Sequence, residues 1–92
     1  MAHTIAVHPG LVLLDELQER GIKQSTLAGH IGALPKTINE ICRQKRGISA
    51  EMAVKLSCAL GASPEFWLNL QKNWELSQVP PGVRKRIKPL AA

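Results

Sequence analysis

Large aromatic side chains are scarce in this chain of 92 residues, which has one Phe, two Trp and no Tyr. All three rings lie between residues 66 and 74, in the segment SPEFWLNLQKNWEL at 63–76. Most of the core must therefore be aliphatic, and this one segment must have a special packing role. A chain of this length forms one small domain and cannot also enclose a deep catalytic cavity.

Cysteine, histidine and long apolar runs are also limited. Cys42 and Cys58 lie within apolar helical patterns, which predicts two buried thiols and no metal site. The histidines, at positions 3, 8 and 30, have no partner at a catalytic spacing, and His8 is assigned with His3 to a mobile entry segment. We therefore expect no enzyme activity and no cofactor. No apolar run has the length of a membrane span and no signal peptide is visible, so the expected location is the cytoplasm.

Acidic residues are outnumbered, with seven Asp and Glu against twelve Lys and Arg, for a formal net charge of +5. The basic residues concentrate at 36–46 and 84–88, whereas acidic residues collect at 15–19. This uneven excess favours an anionic partner such as nucleic acid.

Glycine and proline divide the chain into segments whose apolar residues recur at helical spacing, which predicts a compact all-α domain of five helices. We expect an N-terminal arm at 1–8, the domain at 9–78 and a basic tail at 79–92. Ser49 and Ser63 are expected to cap the fourth and fifth helices. The predicted core residues are Leu13, Leu14, Leu17, Leu27, Ala28, Ile31, Ile38, Ile41, Cys42, Met52, Ala53, Leu56, Leu60, Phe66 and Leu70.

The second and third predicted helices, at 24–31 and about 35–44, are joined by only three or four residues. This spacing is typical of a helix-turn-helix, whose second helix can enter the major groove of DNA. The polar stripe of that helix holds Lys36, Asn39, Glu40 and Arg43, of which the first three can pair with guanine, adenine and cytosine. A polar stripe is also what any surface helix has, and Glu40 could instead pair with Lys36. The residues expected to reach phosphates are Gln24, Thr37, Lys45 and Arg46.

Four segments together resemble the HigA-type antitoxins, a branch of the lambda-repressor-like (Xre) helix-turn-helix family. They are HPG at 8–10, QSTLAGHIG at 24–32, KRGISAEMAVKLSCALG at 45–61 and SPEFWLNLQKNWEL at 63–76. The resemblance implies a homodimer that binds operator DNA, represses its own operon and neutralises a RelE/HigB-like toxin that cleaves mRNA. It implies groove-reading positions at Pro35, Lys36, Thr37, Asn39 and Glu40, and phosphate-contacting positions at Gln24, Arg43 and Lys45.

Two positions depart from the pattern of that family. Leu34 stands where a capping Ser or Thr is usual, and Gln44 replaces a frequent glycine after the third helix. These departures leave open an alternative function, an antitoxin that sequesters its toxin with little or no sequence-specific DNA binding.

The fifth predicted helix, about 64–78, carries Phe66, Trp67, Leu70 and Trp74 on one stripe about 100° wide, which is the expected core face. Apolar residues off that stripe predict a second packing surface. We expect the helix to close the core with one side and to form a homodimer through Trp67, Leu68, Trp74 and Leu76. The tail segment VRKRIK at 83–88 is expected to add nonspecific attraction to DNA, and a membrane-surface or RNA anchor is the alternative.

Overall fold

A computed structural model describes residues 6–91 of the chain. Within these residues it has six helices and no strand: α1 (Pro9–Arg20), α2 (Gln24–Ile31), α3 (Pro35–Cys42), α4 (Ala50–Leu60), α5 (Pro64–Gln78) and α6 (Pro81–Arg86). The predicted all-α class is confirmed, and the first five helices lie where the sequence places them. In this part of the chain, none of the helices has both the length and the apolar character of a membrane span.

The sixth helix was not predicted, because the tail has little to bury. Pro81 stands at its start, where a residue without an N–H loses no helical hydrogen bond. All of its side chains are half-buried or exposed. The basic tail is therefore helical over residues 81–86 but lies outside the core.

The core forms where α1 to α5 meet, and most of its predicted members are confirmed. The apolar side chains of this core, each at most 6% exposed, are Leu13, Leu17, Leu27, Ala28, Ile38, Ile41, Cys42, Ile48, Ala53, Leu56, Leu60 and Trp67. Half-buried residues pack around them, among which the predicted ones are Leu14, Ile31, Met52 and Leu70. The prediction of a second buried thiol is wrong, because Cys58 is exposed.

The orientation of α5 differs from the prediction. Trp67 is 1% exposed and lies at the centre of the buried face, whereas Phe66 is 42% exposed. At 100° per residue, the buried face is rotated by roughly 50° from the centre of the predicted stripe. Trp67 takes the core position, and the Phe66 ring contacts it edge-on with 5.2 Å between centroids. The assignment of Phe66 to the core is therefore wrong.

The segment HPG at 8–10 starts α1 and joins it to α3. His8 is 3% exposed, its Nδ1 accepts a hydrogen bond from the Gly10 N–H at 2.9 Å, and its ring lies edge-on to Trp74 with 4.7 Å between centroids. A Cβ atom at Gly10 would overlap the Ile41 carbonyl oxygen and lie 2.8 Å from its carbon. The assignment of His8 to a mobile arm is wrong, because the imidazole caps α1 inside the fold. His3 lies outside the described residues.

Candidate nucleic-acid interface

The turn between α2 and α3 has the geometry of a helix-turn-helix. Gly32 ends α2 with φ 68°, a left-handed conformation that glycine adopts without strain. Leu34 then precedes α3 in an extended conformation, and its side chain has no oxygen that could cap the helix. The Leu34 carbonyl accepts the N–H of Thr37 at 3.0 Å, and Pro35 occupies the first turn. Backbone geometry therefore starts α3 without the usual capping side chain.

α3 has one face in the core and one face in solvent, as the sequence predicts. Ile38, Ile41 and Cys42 are buried, and burial raises the pKa of the Cys42 thiol. Lys36 and Asn39 are exposed on the opposite side. Thr37 and Glu40 lie half-buried at its edges. The four predicted base-reading side chains thus lie on or beside one solvent-facing surface.

A hydrogen bond links the two helices of the motif. The Asn39 Nδ2 group donates to Gln24 Oε1 at 3.2 Å. Gln24 is the first residue of α2, so a predicted phosphate contact and a predicted base contact lie side by side. Each amide keeps hydrogen-bonding capacity after this bond forms, since an amide has two N–H donors and an oxygen acceptor.

Glu40 pairs with Arg46 instead of Lys36. Its Oε1 lies 2.8 Å from Arg46 Nη2 and 3.0 Å from Arg46 Nε. The alternative pairing of Glu40 with Lys36 is therefore wrong, because the loop after α3 turns back and brings the Arg46 guanidinium to the carboxylate. This contact neutralises the one acidic side chain on the predicted DNA face and holds Arg46 near α3.

The loop from Arg43 to Ser49 carries the remaining basic residues. Its first two residues, Arg43 and Gln44, were predicted as the end of α3 but lie outside that helix. Gln44 has φ 63°, the left-handed conformation that favours the glycine it replaces. Arg43 and Lys45 are exposed. Ile48 is 4% exposed and anchors the far end of the loop in the core.

The backbone N–H of Ile48 donates to Gln71 Oε1 at 2.8 Å. The sequence pattern assigned no role to Gln71. Its partner lies 23 positions earlier in the chain, and no local pattern predicts such a contact.

The four residues predicted for dimerisation differ in how deeply the structure buries them. Trp67 is wrong as an interface residue, because the core covers its side chain completely. Leu68 is partly buried against the core, and Trp74 is half-buried beside His8. Leu76 is 63% exposed, on the side of α5 opposite Trp67. It lines one groove with Val79, Pro80 and Pro81, which follow it in the chain.

Within residues 6–91, no group of three or more His, Cys, Asp or Glu side chains could hold a metal ion.

Comparisons with known proteins place this arrangement in a family. Residues 13–67 match the family described as Helix-turn-helix. Virulence-associated protein A' of Dichelobacter nodosus is 40% identical over 84 residues, which cover 90% of this chain and 73% of the relative. Antitoxin HigA-1 of Vibrio cholerae serotype O1 is 31% identical over 83 residues, covering 87% of this chain and 78% of the relative.

A solved structure of the Pseudomonas aeruginosa antitoxin HigA with the higBA promoter resembles the whole fold. The TM-score is 0.84 at 37% sequence identity, with 95% of this chain and 100% of that chain covered. The family is one of DNA-binding antitoxins and regulators and is not a class of enzymes. The chain therefore belongs to the Xre-like helix-turn-helix family, in its branch of HigA-type antitoxins.

Proposed function

We propose that the protein is an antitoxin and autorepressor. As a dimer it binds operator DNA through α3, and it neutralises a RelE/HigB-like toxin that cleaves mRNA. The carrying observation is the solvent-facing surface of α3, where Lys36 and Asn39 project beside Gln24 and the basic loop. A relative of the same fold was solved with promoter DNA, which supports the same use of this surface. Such a repressor acts in the cytoplasm.

In this proposal the exposed side chains at the start of α3 read bases. Asn39 keeps one N–H donor and its Oδ1 after the bond to Gln24, which are the two groups needed to pair with adenine. Lys36 can donate to guanine, and Thr37 can accept from or donate to a base. Glu40 retains Oε2 for a cytosine amino group while Oε1 is occupied by Arg46.

The surrounding groups position the protein on the DNA backbone. The free amide N–H groups of Gln24 lie at the N-terminus of α2, a place that favours phosphate. Arg43 and Lys45 are exposed beside the reading surface, and Arg46 joins them through its unpaired guanidinium hydrogens. These contacts supply affinity without sequence information.

The DNA-binding part of the proposal is tested by fluorescence anisotropy at about 150 mM salt, with a duplex from upstream of the gene and a scrambled duplex. The wild-type chain is expected to prefer the upstream duplex. Removal of a base-reading group in Lys36→Ala or Asn39→Ala should reduce that preference, by roughly 1–3 kcal/mol of discrimination for a bidentate pair. Lys55→Ala removes a positive charge from α4 and serves as the matched control.

Equal, weak binding of both duplexes by the wild-type chain would refute sequence-specific DNA binding. The chain would then be an antitoxin that acts on its toxin alone.

A second copy is proposed to pack on the face of α5 that holds Leu68 and Leu76, whereas Trp74 lies about 160° around the helix from Leu76 and is left out of that face. The strong exposure of Leu76 supports this assignment. Two copies related by twofold symmetry would address half-sites roughly 34–36 Å apart.

Leu76→Glu should therefore sediment as a monomer at micromolar concentration, because it places charge in an apolar interface. Leu90→Glu is the matched control, since Leu90 is 99% exposed and lies outside the proposed face. A Leu76→Glu variant that stays dimeric excludes this face.

Toxin neutralisation is supported by membership of the antitoxin branch. It is tested by cleavage of mRNA on ribosomes by a RelE-like toxin from the neighbouring reading frame. The purified chain should suppress cleavage when present in equimolar amount. Full toxin activity in its presence would refute this part of the proposal and leave the DNA-binding part standing.

A further inference from the structure

The basic loop after α3 is fastened at its far end by a residue of α5. Gln71 Oε1 accepts the backbone N–H of Ile48 at 2.8 Å. The Gln71 side chain is half-buried, and α5 itself is fixed in the core by Trp67 one turn earlier. The loop that carries Lys45 and Arg46 thus ends on a rigid support.

The preceding residue packs on the same side chain. A Cβ atom added to Gly47 would lie 2.7 Å from Gln71 Nε2, 2.8 Å from Oε1 and 2.9 Å from Cδ. The absence of a side chain at position 47 is what lets the Gln71 amide lie against the loop backbone. The backbone positions of two successive residues, Gly47 and Ile48, are therefore set by one amide group, that of Gln71.

We infer that Gln71 is a positioning residue for DNA binding, one that holds the loop so that Lys45 and Arg46 are ordered before they meet phosphate. This inference rests on the proposed DNA-binding function. Long basic side chains on a mobile loop lose conformational freedom when they bind, and a loop that is already ordered loses less. At the near end, the Glu40–Arg46 pair orders the same loop. Gln71 supplies the matching restraint from outside the helix-turn-helix.

The effect on binding should be independent of DNA sequence. Phosphate contacts contribute equally to operator and scrambled DNA, whereas the base-reading surface of α3 does not touch Gln71. One net hydrogen bond corresponds to about a fivefold change in an equilibrium constant, so each subunit is expected to lose about fivefold in affinity. The salt dependence should become shallower, by about 0.9 in slope for each phosphate that the variant no longer neutralises.

Gln71→Met tests the inference, because methionine keeps the length and apolar body of the side chain and removes the acceptor. Gln78→Met is the matched control, since Gln78 is exposed on the same helix. Both variants are titrated against operator and scrambled duplexes at several salt concentrations. Hydrogen exchange of the Ile48 amide in the free protein measures the bond itself.

Gln71→Met is expected to bind both duplexes about fivefold more weakly per subunit, with an unchanged operator preference, a shallower salt slope and faster exchange at Ile48. Gln78→Met is expected to match the wild-type chain. Gly47→Ala displaces the same amide, so its effect and that of Gln71→Met should not add in the double variant. A general loss of stability would leave the salt slope of the folded protein unchanged.

The outcomes separate the inference from the proposed function. If the wild-type chain shows no operator preference, both are overturned. If the wild-type chain prefers its operator and Gln71→Met keeps the wild-type affinity or the wild-type salt slope, the inference alone is overturned. Faster exchange at Ile48 in that variant would then confirm the hydrogen bond and deny it a role in binding.

Discussion

Adding one methyl group at Gly10 should destabilise the fold, whereas adding the same group at Gly29 should stabilise it. At Gly10, the new Cβ atom would overlap the Ile41 carbonyl oxygen and lie 3.0 Å from His8 Nδ1. At Gly29, within α2, the new atom would meet no described atom within 4 Å beyond its chain neighbours and the backbone of its own helix. Neither glycine has a positive φ, so the contrast comes from space alone.

The magnitude at Gly10 follows from what must move. The Ile41 carbonyl is backbone and cannot rotate away, so α1 and α3 must move apart to admit the new atom. Overpacking of this kind costs about 3 kcal/mol when backbone is on both sides, and the helix propensity of alanine offsets at most about 1 kcal/mol. We expect Gly10→Ala to lose about 2 kcal/mol of unfolding free energy. Gly29→Ala should gain about 0.5–1 kcal/mol, the usual advantage of alanine inside a helix.

Urea unfolding followed by circular dichroism measures both changes, with protein concentration held fixed because a dimer's stability depends on it. In a domain of this size the loss at Gly10 corresponds to a fall in Tm of roughly 10 °C. A Gly10→Ala variant within 0.5 kcal/mol of the wild-type chain would refute the close approach of α1 to α3. A comparable loss in Gly29→Ala would show that the effect is not specific to that contact.

Three further changes are expected from individual contacts. Gln44→Gly should raise the unfolding free energy by about 0.5–1 kcal/mol, because the residue at φ 63° is in the left-handed region; an unchanged or lower Tm would contradict this. Burial lowers the pKa of His8 below its ordinary value of 6.5. The Nδ1 atom must stay unprotonated to cap α1. The stability that His8 contributes is therefore complete above pH about 6.5 and is lost as pH falls below that value. Asn is a cap that does not titrate in this range, so the unfolding free energy of His8→Asn should fall less between pH 7 and 5 than that of the wild-type chain. An equal fall in both proteins, measured by urea unfolding, would contradict the assignment. Deletion of residues 80–92 should weaken binding to operator and scrambled DNA alike in the anisotropy assay, and a selective loss of operator preference would contradict a nonspecific role for the basic tail.

Signals that depend on neighbouring residues predicted much of the fold. Ser49 and Ser63 accept hydrogen bonds from Met52 and Phe66 at the starts of α4 and α5, as N-cap residues do. The helical spacing of Ile38 and Ile41 placed the buried face of α3, and with it the exposed face of Lys36. Within a helix, such patterns need no knowledge of what packs against it.

Features that depend on distant residues could not be predicted in the same way. The burial of His8 depends on Trp74, and the support of the basic loop depends on Gln71. The rotation of α5 depends on which of two adjacent rings the rest of the core accepts, and a helical wheel alone could not choose Trp67 over Phe66. In the candidate interface, the partner of Glu40 depended on the path of a loop whose turn is made by Gln44.

The unequal surroundings of the two tryptophans give the chain two internal optical reporters. Trp67, enclosed in the core, should emit at short wavelength and shift only when the core opens. Trp74 lies against the His8 imidazole, so its emission should respond to protonation of that ring. With Trp74→Phe as the reference, one fluorescence spectrum could distinguish unfolding of the core from protonation of His8 without an added dye.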